Sequence, residues 1–178
     1  MTRTAFIARF PGETKIVMLG DSLIMRGDWS LLLPEFSIAN HGVDGNTSTD
    51  ILKRLDETLA NPAPDILLMV GVNDLQAGRS VPEISANVET ISARLTAAGR
   101  SVTVQSVPPN DLPPLQDKIP QLNDALRRLC AEQDCRFLDV AAIIPTTALA
   151  DGLHLSADGY AAWADLLRKA LRGSIHSG

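Results

Sequence analysis

Aromatic residues are scarce in this chain, 4% of 178 positions, with one tyrosine and two tryptophans. A broad aromatic platform for carbohydrate is therefore not in view. Cysteine is almost as rare: Cys130 and Cys135 are the only two. One pair with four residues between is too little for a zinc site or a disulfide framework, so both are expected as reduced thiols. No apolar run approaches the roughly 20 residues of a membrane helix, and no stable membrane insertion is expected. The opening "MTRTAFIARFPGETK" has an apolar stretch too short for a signal peptide, so the chain as given reads as cytoplasmic. Charge of one sign is not clustered either. The formal net charge is −5 and the charges are scattered, which favours neither nucleic acid nor an anionic membrane as partner. Gly-x-Gly-x-x-Gly and Walker-type phosphate loops are missing, which disfavours a non-catalytic flavodoxin-like binding module.

What is present is an alternation. Short apolar runs stand at "KIVML" (15–19), "SIA" (37–39), "DILLMV" (65–70), "SVTVQSV" (101–107) and "RFLDV" (136–140). Between them apolar residues recur at steps of three and four, as amphipathic helices require. Ile51, Leu55 and Leu59 share one face. Ile84, Val88, Ile91 and Leu95 share another, followed by Leu115, Ile119, Leu122, Leu126 and Leu129, and by Tyr160, Trp163, Leu167 and Ala170. Ser80-Val81-Pro82-Glu83 and Thr47-Ser48-Thr49-Asp50 read as helix starts, and Ser156 as the cap of the last helix. Gly99 reads as a helix stop. Strand–helix alternation predicts an α/β fold: a three-layer α/β/α sandwich around a five-stranded parallel sheet, in the flavodoxin-like order 2-1-3-4-5. One domain over 1–178 is expected, with a core at about 14–172 and a frayed tail "GSIHSG".

Ligands of such sheets bind beyond the carboxyl ends of the strands. Those positions hold Gly20-Asp21-Ser22-Leu23, then Asn40 to Asn46, then Gly71-Val72-Asn73-Asp74, then Pro108-Pro109-Asn110, and lastly Asp151-Gly152-Leu153-His154. A hydroxyl nucleophile needs a base, and the base needs a group to orient it. Asp151 stands three residues before His154, close enough to share one turn of chain with it. Ser22, His154 and Asp151 are thus a candidate triad. Asp21, Asp74 and Asp139 read as structural acids, and His41 as a rim or packing residue. His41 with Asp44 is too thin a set for a metal. No Gly-x-Ser-x-Gly is present, so the nucleophile elbow of the α/β-hydrolases is excluded.

In these residues the sequence resembles the SGNH hydrolases, also called GDSL esterases and lipases. Their four blocks are matched by Gly20-Asp21-Ser22-Leu23, by Gly45 in "GVDGNTS", by Asn73 in "GVND", and by Asp151 and His154 in "DGLH". The match spans about residues 14–172. It is nearest to the compact branch that includes the catalytic subunits of platelet-activating-factor acetylhydrolase. The resemblance implies a serine esterase in which Ser22 is the nucleophile, His154 the base and Asp151 its partner. It assigns the oxyanion hole to the backbone N–H groups of Ser22 and Gly45 and the side-chain amide of Asn73. It calls for no cofactor and no metal, and its partner is a small-molecule ester. A lysophospholipase or thioesterase with the same triad is the alternative. Met25, Trp29, Leu75, Gln76 and Asn110 follow strand ends and are candidate substrate-binding residues. The loops there are short and mostly polar, which suits acyl groups from acetyl to about butyryl. No feature sets an oligomeric state.

Overall fold

A computed structural model describes residues 14–175. The N-terminal segment considered as a leader, and the last three residues of the tail, lie outside the described residues. Five parallel strands form one sheet: β1 (Ile16–Gly20), β2 (Ile38–Gly42), β3 (Asp65–Met69), β4 (Ser101–Gln105) and β5 (Arg136–Leu138). Their spatial order is β2-β1-β3-β4-β5, the order expected from the sequence. β1 is buried along its whole length, and β3 and β4 over all but their first residue. Central parallel strands covered on both faces need such continuous apolar runs. β2 and β5 are the edges and are only partly buried. β2 runs on past the expected Ala39, because Asn40, His41 and Gly42 keep register with Met18, Leu19 and Gly20. An edge strand tolerates those polar side chains where a central one would not.

The helices cover the sheet. They are α1 (Ser22–Met25), α2 (Trp29–Leu32), α3 (Ser48–Lys53), α4 (Leu55–Leu59), α5 (Val72–Gln76), α6 (Val81–Ala97), α7 (Pro113–Gln116), α8 (Lys118–Glu132) and α9 (Ala157–Ile175). α6 packs against α3 and α8, and α9 packs against α2. α6 starts with a capping box between Ser80 and Glu83 with Pro82 in its first turn, and Gly99 (φ +76°) follows its end. α3 starts with the Thr47–Asp50 box. Ser156 Oγ accepts from Gly159 N–H at the start of α9.

Two stretches that read as single helices are each broken. The Ile51–Leu59 stripe divides at Arg54 into α3 and α4, and the Leu115–Leu129 stripe divides at Asp117 into α7 and α8. The cysteines also differ from expectation. Cys130, in the last turn of α8, and Cys135, just before β5, form a disulfide. The chain reverses within the few residues after Glu132 and returns Cys135 to 4.9 Å from Cys130, Cα to Cα, within reach of a bridge.

The core beneath Ser22 is aromatic. Trp29 meets Trp163 edge-on at 5.1 Å and Tyr160 at 5.9 Å, and Tyr160 Oη donates to Leu23 O across 2.8 Å. α9 is thereby bound to α1, the turn that carries Ser22. Among the described residues no helix is long and apolar enough to cross a membrane.

Candidate active site

β1 ends in a glycine because the chain has no room for more. A Cβ on Gly20 would run into Met69 O and the side chain of Ile24. The next residue, Asp21, is fully buried and caps α1, its Oδ1 accepting from Leu23 N–H at 2.9 Å. This turn presents Ser22 at the sheet edge. Ser22 Oγ lies 3.1 Å from His154 Nε2.

His154 arrives on a tight loop before α9. Leu149 and Leu155 bridge across its neck, and Ala150 N–H donates to His154 O at 2.7 Å. Inside it, Asp151 divides its carboxylate. Oδ1 accepts from the backbone N–H groups of Leu153 (3.1 Å) and His154 (2.8 Å), and Oδ2 faces His154 Nδ1 at 2.8 Å. A carboxylate only accepts, so Nδ1 carries the proton and Nε2 is free to accept from Ser22. The backbone bond from His154, then its side-chain bond, hold the Asp151 carboxyl down at about 2. Arg26, one turn after Ser22, stands 3.9 Å from Asp151 Oδ2 and 3.9 Å from Asp44 Oδ1, a charged rim beside the serine.

The other two motif residues meet across the loop after β2. Asn73, on α5, donates through Nδ2 to Asn46 O at 3.0 Å. Gly45 precedes Asn46 and has φ +72°, a left-handed conformation that favours glycine. A Cβ there would meet nothing within 4 Å, so the conformation rather than the space selects the residue. Asp74 is buried and accepts from Ser48 N–H (2.8 Å) and Ser48 Oγ (2.6 Å), tying α5 to the start of α3.

The remaining sequence candidates separate. His41 is buried with Nδ1 3.1 Å from Thr58 Oγ1, while Asp44 faces Arg26, so the two do not converge. Asp139 accepts from Ser106 Oγ and from Ala142 N–H, fixing the segment after β5. Trp29 does not reach the rim: it is 2% exposed, and its indole N–H donates to Ile24 O at 2.8 Å. Leu75 is equally buried. Position after a strand end does not decide where a side chain points, and both hydrophobes turn inward. Met25 is partly exposed and Gln76 is exposed. Asn110 lines a groove of about 510 Å³ with Ile119, Pro120, Arg127 and Asp139, beyond β4 and β5. Arg26 and Arg54 were not among the sequence candidates, and Asn46 stood there only as a position beyond β2. Arg26 had a signal in its four-residue spacing from Ser22.

Asp21 carries a testable cost. Burial, with smaller contributions from Asp74 and Asp44, pushes its carboxyl up to about 7 from the ordinary 3.8, and among the described residues its Oδ2 has no hydrogen-bond partner. A raised carboxyl favours the folded state while protonated, so stability falls as pH rises from about 4 through 7. Asp21→Asn is expected to raise Tm at pH 8.5 by at least about 3 °C more than at pH 4. Equal shifts in thermal unfolding at the two pH values would contradict this.

Known proteins resemble this chain in sequence and in fold. The model of the GDSL-like lipase/acylhydrolase family matches residues 18–162. An arylesterase of Vibrio mimicus is 27% identical over 161 residues, 79% of each chain. Among solved structures, a candidate platelet activating factor protein from Streptococcus pneumonia superposes with a TM-score of 0.88 at 23% identity, covering 95% of this chain and 91% of that one. An acetylxylan esterase from Geobacillus stearothermophilus gives 0.74 at 18% identity, covering 88% and 93%.

Proposed function

The chain belongs to the GDSL-like lipase/acylhydrolase family and is a carboxylic-ester hydrolase, and we propose that it cleaves short-acyl esters through Ser22, His154 and Asp151 by an acyl-enzyme intermediate. The observation that carries this reading is the hydrogen-bonded series from Ser22 Oγ through the imidazole to Asp151, at 3.1 and 2.8 Å. Ser22 Oγ attacks the ester carbonyl while His154 Nε2 takes its proton. The imidazolium so formed is stabilised by Asp151 and returns the proton to the leaving alcohol. Water, activated by the same imidazole, then releases the acid.

The negative charge that develops on the carbonyl oxygen needs donors already in place. Ser22 N–H, Gly45 N–H and the Asn73 amide fill that role in this proposal. One Asn73 hydrogen is held by Asn46 O, which leaves the second for the oxyanion. Asn73→Ala is expected to lower kcat by about 10²–10³ with little change in KM, because the charge exists only in the transition state. A change confined to KM would make Asn73 a substrate-binding group instead.

The short-acyl reading rests on what surrounds Ser22. The rim carries Arg26, Asp44 and Asp151, and the nearby hydrophobes Trp29 and Leu75 are withdrawn into the core. Each acyl CH₂ contributes roughly 0.8 kcal/mol only when apolar surface covers it. Across p-nitrophenyl esters of two to twelve carbons, kcat/KM is expected to peak at two to four. A maximum at eight or more would overturn the reading in favour of a lysophospholipase or thioesterase.

A further inference from the structure

Arg54 is a buried cation at the junction of two short helices. It lies three residues after Ile51 and is 7% exposed. It stands at the break between α3 and α4, and its side chain turns back toward the sheet. Nη2 donates to Gly20 O (3.1 Å) and His41 O (2.9 Å), and Nε donates to Asn46 Oδ1 (2.6 Å). Gly20 and His41 lie at the carboxyl ends of β1 and β2, where the ladder between these strands runs out. Asn46 is the residue after Gly45, and its carbonyl accepts the Asn73 amide. Its own N–H donates to Val43 O, and Val43 N–H to Gly20 O. One guanidinium therefore holds Gly20, two residues before Ser22, His41 at the end of β2, and Asn46, which both follows Gly45 and accepts the Asn73 amide.

We propose that Arg54 is the positioning residue of the oxyanion hole, fixing the Gly45–Asn46 loop against β1 and, through Asn46, the direction of the Asn73 amide. This rests on the oxyanion assignment made above. Arg54 itself touches no substrate. The role needs a planar fork with donors in fixed directions. A lysine offers one point charge and cannot span Asn46 Oδ1 and two carbonyls in the same geometry. The helix break at Arg54 has a use in this arrangement, since it lets the side chain reach the strand ends.

The test is a double-mutant cycle among Arg54→Gln, Asn46→Ala and Asn73→Ala, read as kcat and KM on p-nitrophenyl acetate with Tm measured alongside. Arg54→Gln is expected to lower kcat at least tenfold with KM within threefold. Arg54→Lys is expected to recover less than half of that loss on a logarithmic scale. In the Asn73→Ala background the Arg54→Gln loss is expected to shrink below threefold, because the amide it aims is gone. Losses that multiply independently would overturn the proposal, as would a change in KM alone. Should Arg54→Gln fail to fold, Asn46→Ala carries the test, since it removes only the side-chain link. Its expected three- to tenfold loss in kcat must also shrink in the Asn73→Ala background, and wild-type kcat in Asn46→Ala overturns the proposal. Ser22→Ala is run in parallel. Activity surviving there refutes the esterase reading itself, whereas an inactive Ser22→Ala with an additive cycle refutes only the role of Arg54.

Discussion

Ser22→Ala is expected to remove ester hydrolysis, with kcat falling by roughly 10⁶ as it does when a triad serine is lost elsewhere. The cause is chemical rather than structural. Ser22 is 5% exposed, and its hydroxyl bonds to His154. Its removal costs the fold about 1 kcal/mol at most, the net worth of an ordinary hydrogen bond. The turn that presents it depends on other groups: the close approach at Gly20, the Asp21 cap and the Tyr160 bond to Leu23 O. Tm should therefore stay within about 4 °C of wild type while activity disappears. A fluorophosphonate probe should label the wild type at Ser22 and leave the variant unmarked. Near-normal turnover in purified Ser22→Ala would refute the mechanism proposed for this chain.

Much of the fold was legible because burial writes itself as apolar runs. "DILLMV" and "KIVML" read as strands covered on both faces, and the capping boxes at Ser80 and Thr47 mark helix starts by their hydrogen bonds. The site's motif residues were legible for a related reason: a parallel sheet delivers the residues after its strands to one edge. What the sequence did not disclose is direction. Trp29 and Leu75 follow strand ends yet turn into the core, because an indole and an isobutyl group gain more from burial there than at a charged rim. Arg54 was hidden in the same way. An arginine in a helical stripe reads as solvated, and its inward fork exists only because β1 and β2 end with carbonyl groups beneath it. The Cys130–Cys135 bridge depends on the tight reversal after α8, which no spacing rule supplies.

The second large effect concerns a proton's position. Asp151→Asn is expected to lower kcat by about 10²–10⁴ without unfolding the protein. In the wild type, Oδ1 is committed to the backbone N–H groups of Leu153 and His154. An asparagine keeps those two bonds only by placing its carbonyl oxygen there, and its NH₂ group then faces His154 Nδ1. That group donates, so Nδ1 must accept and the imidazole proton moves to Nε2. Nε2 is the atom 3.1 Å from Ser22 Oγ, and once protonated it cannot take the serine's proton. The pH dependence separates this from simple loss of charge. The wild-type carboxyl, held at about 2, is ionised throughout the working range. Its contribution to stability is present above the ordinary 3.8 and is lost as pH falls through about 2. Acid unfolding of Asp151→Asn should lack that contribution, and the variant's loss in kcat should already be full at pH 7. The tautomer can be read directly, by imidazole nitrogen NMR. The wild type is expected to carry its proton on Nδ1 and the variant on Nε2. A variant that keeps the Nδ1 proton, or loses less than tenfold in kcat, would mean that Asp151 does no more than shape the loop that carries His154.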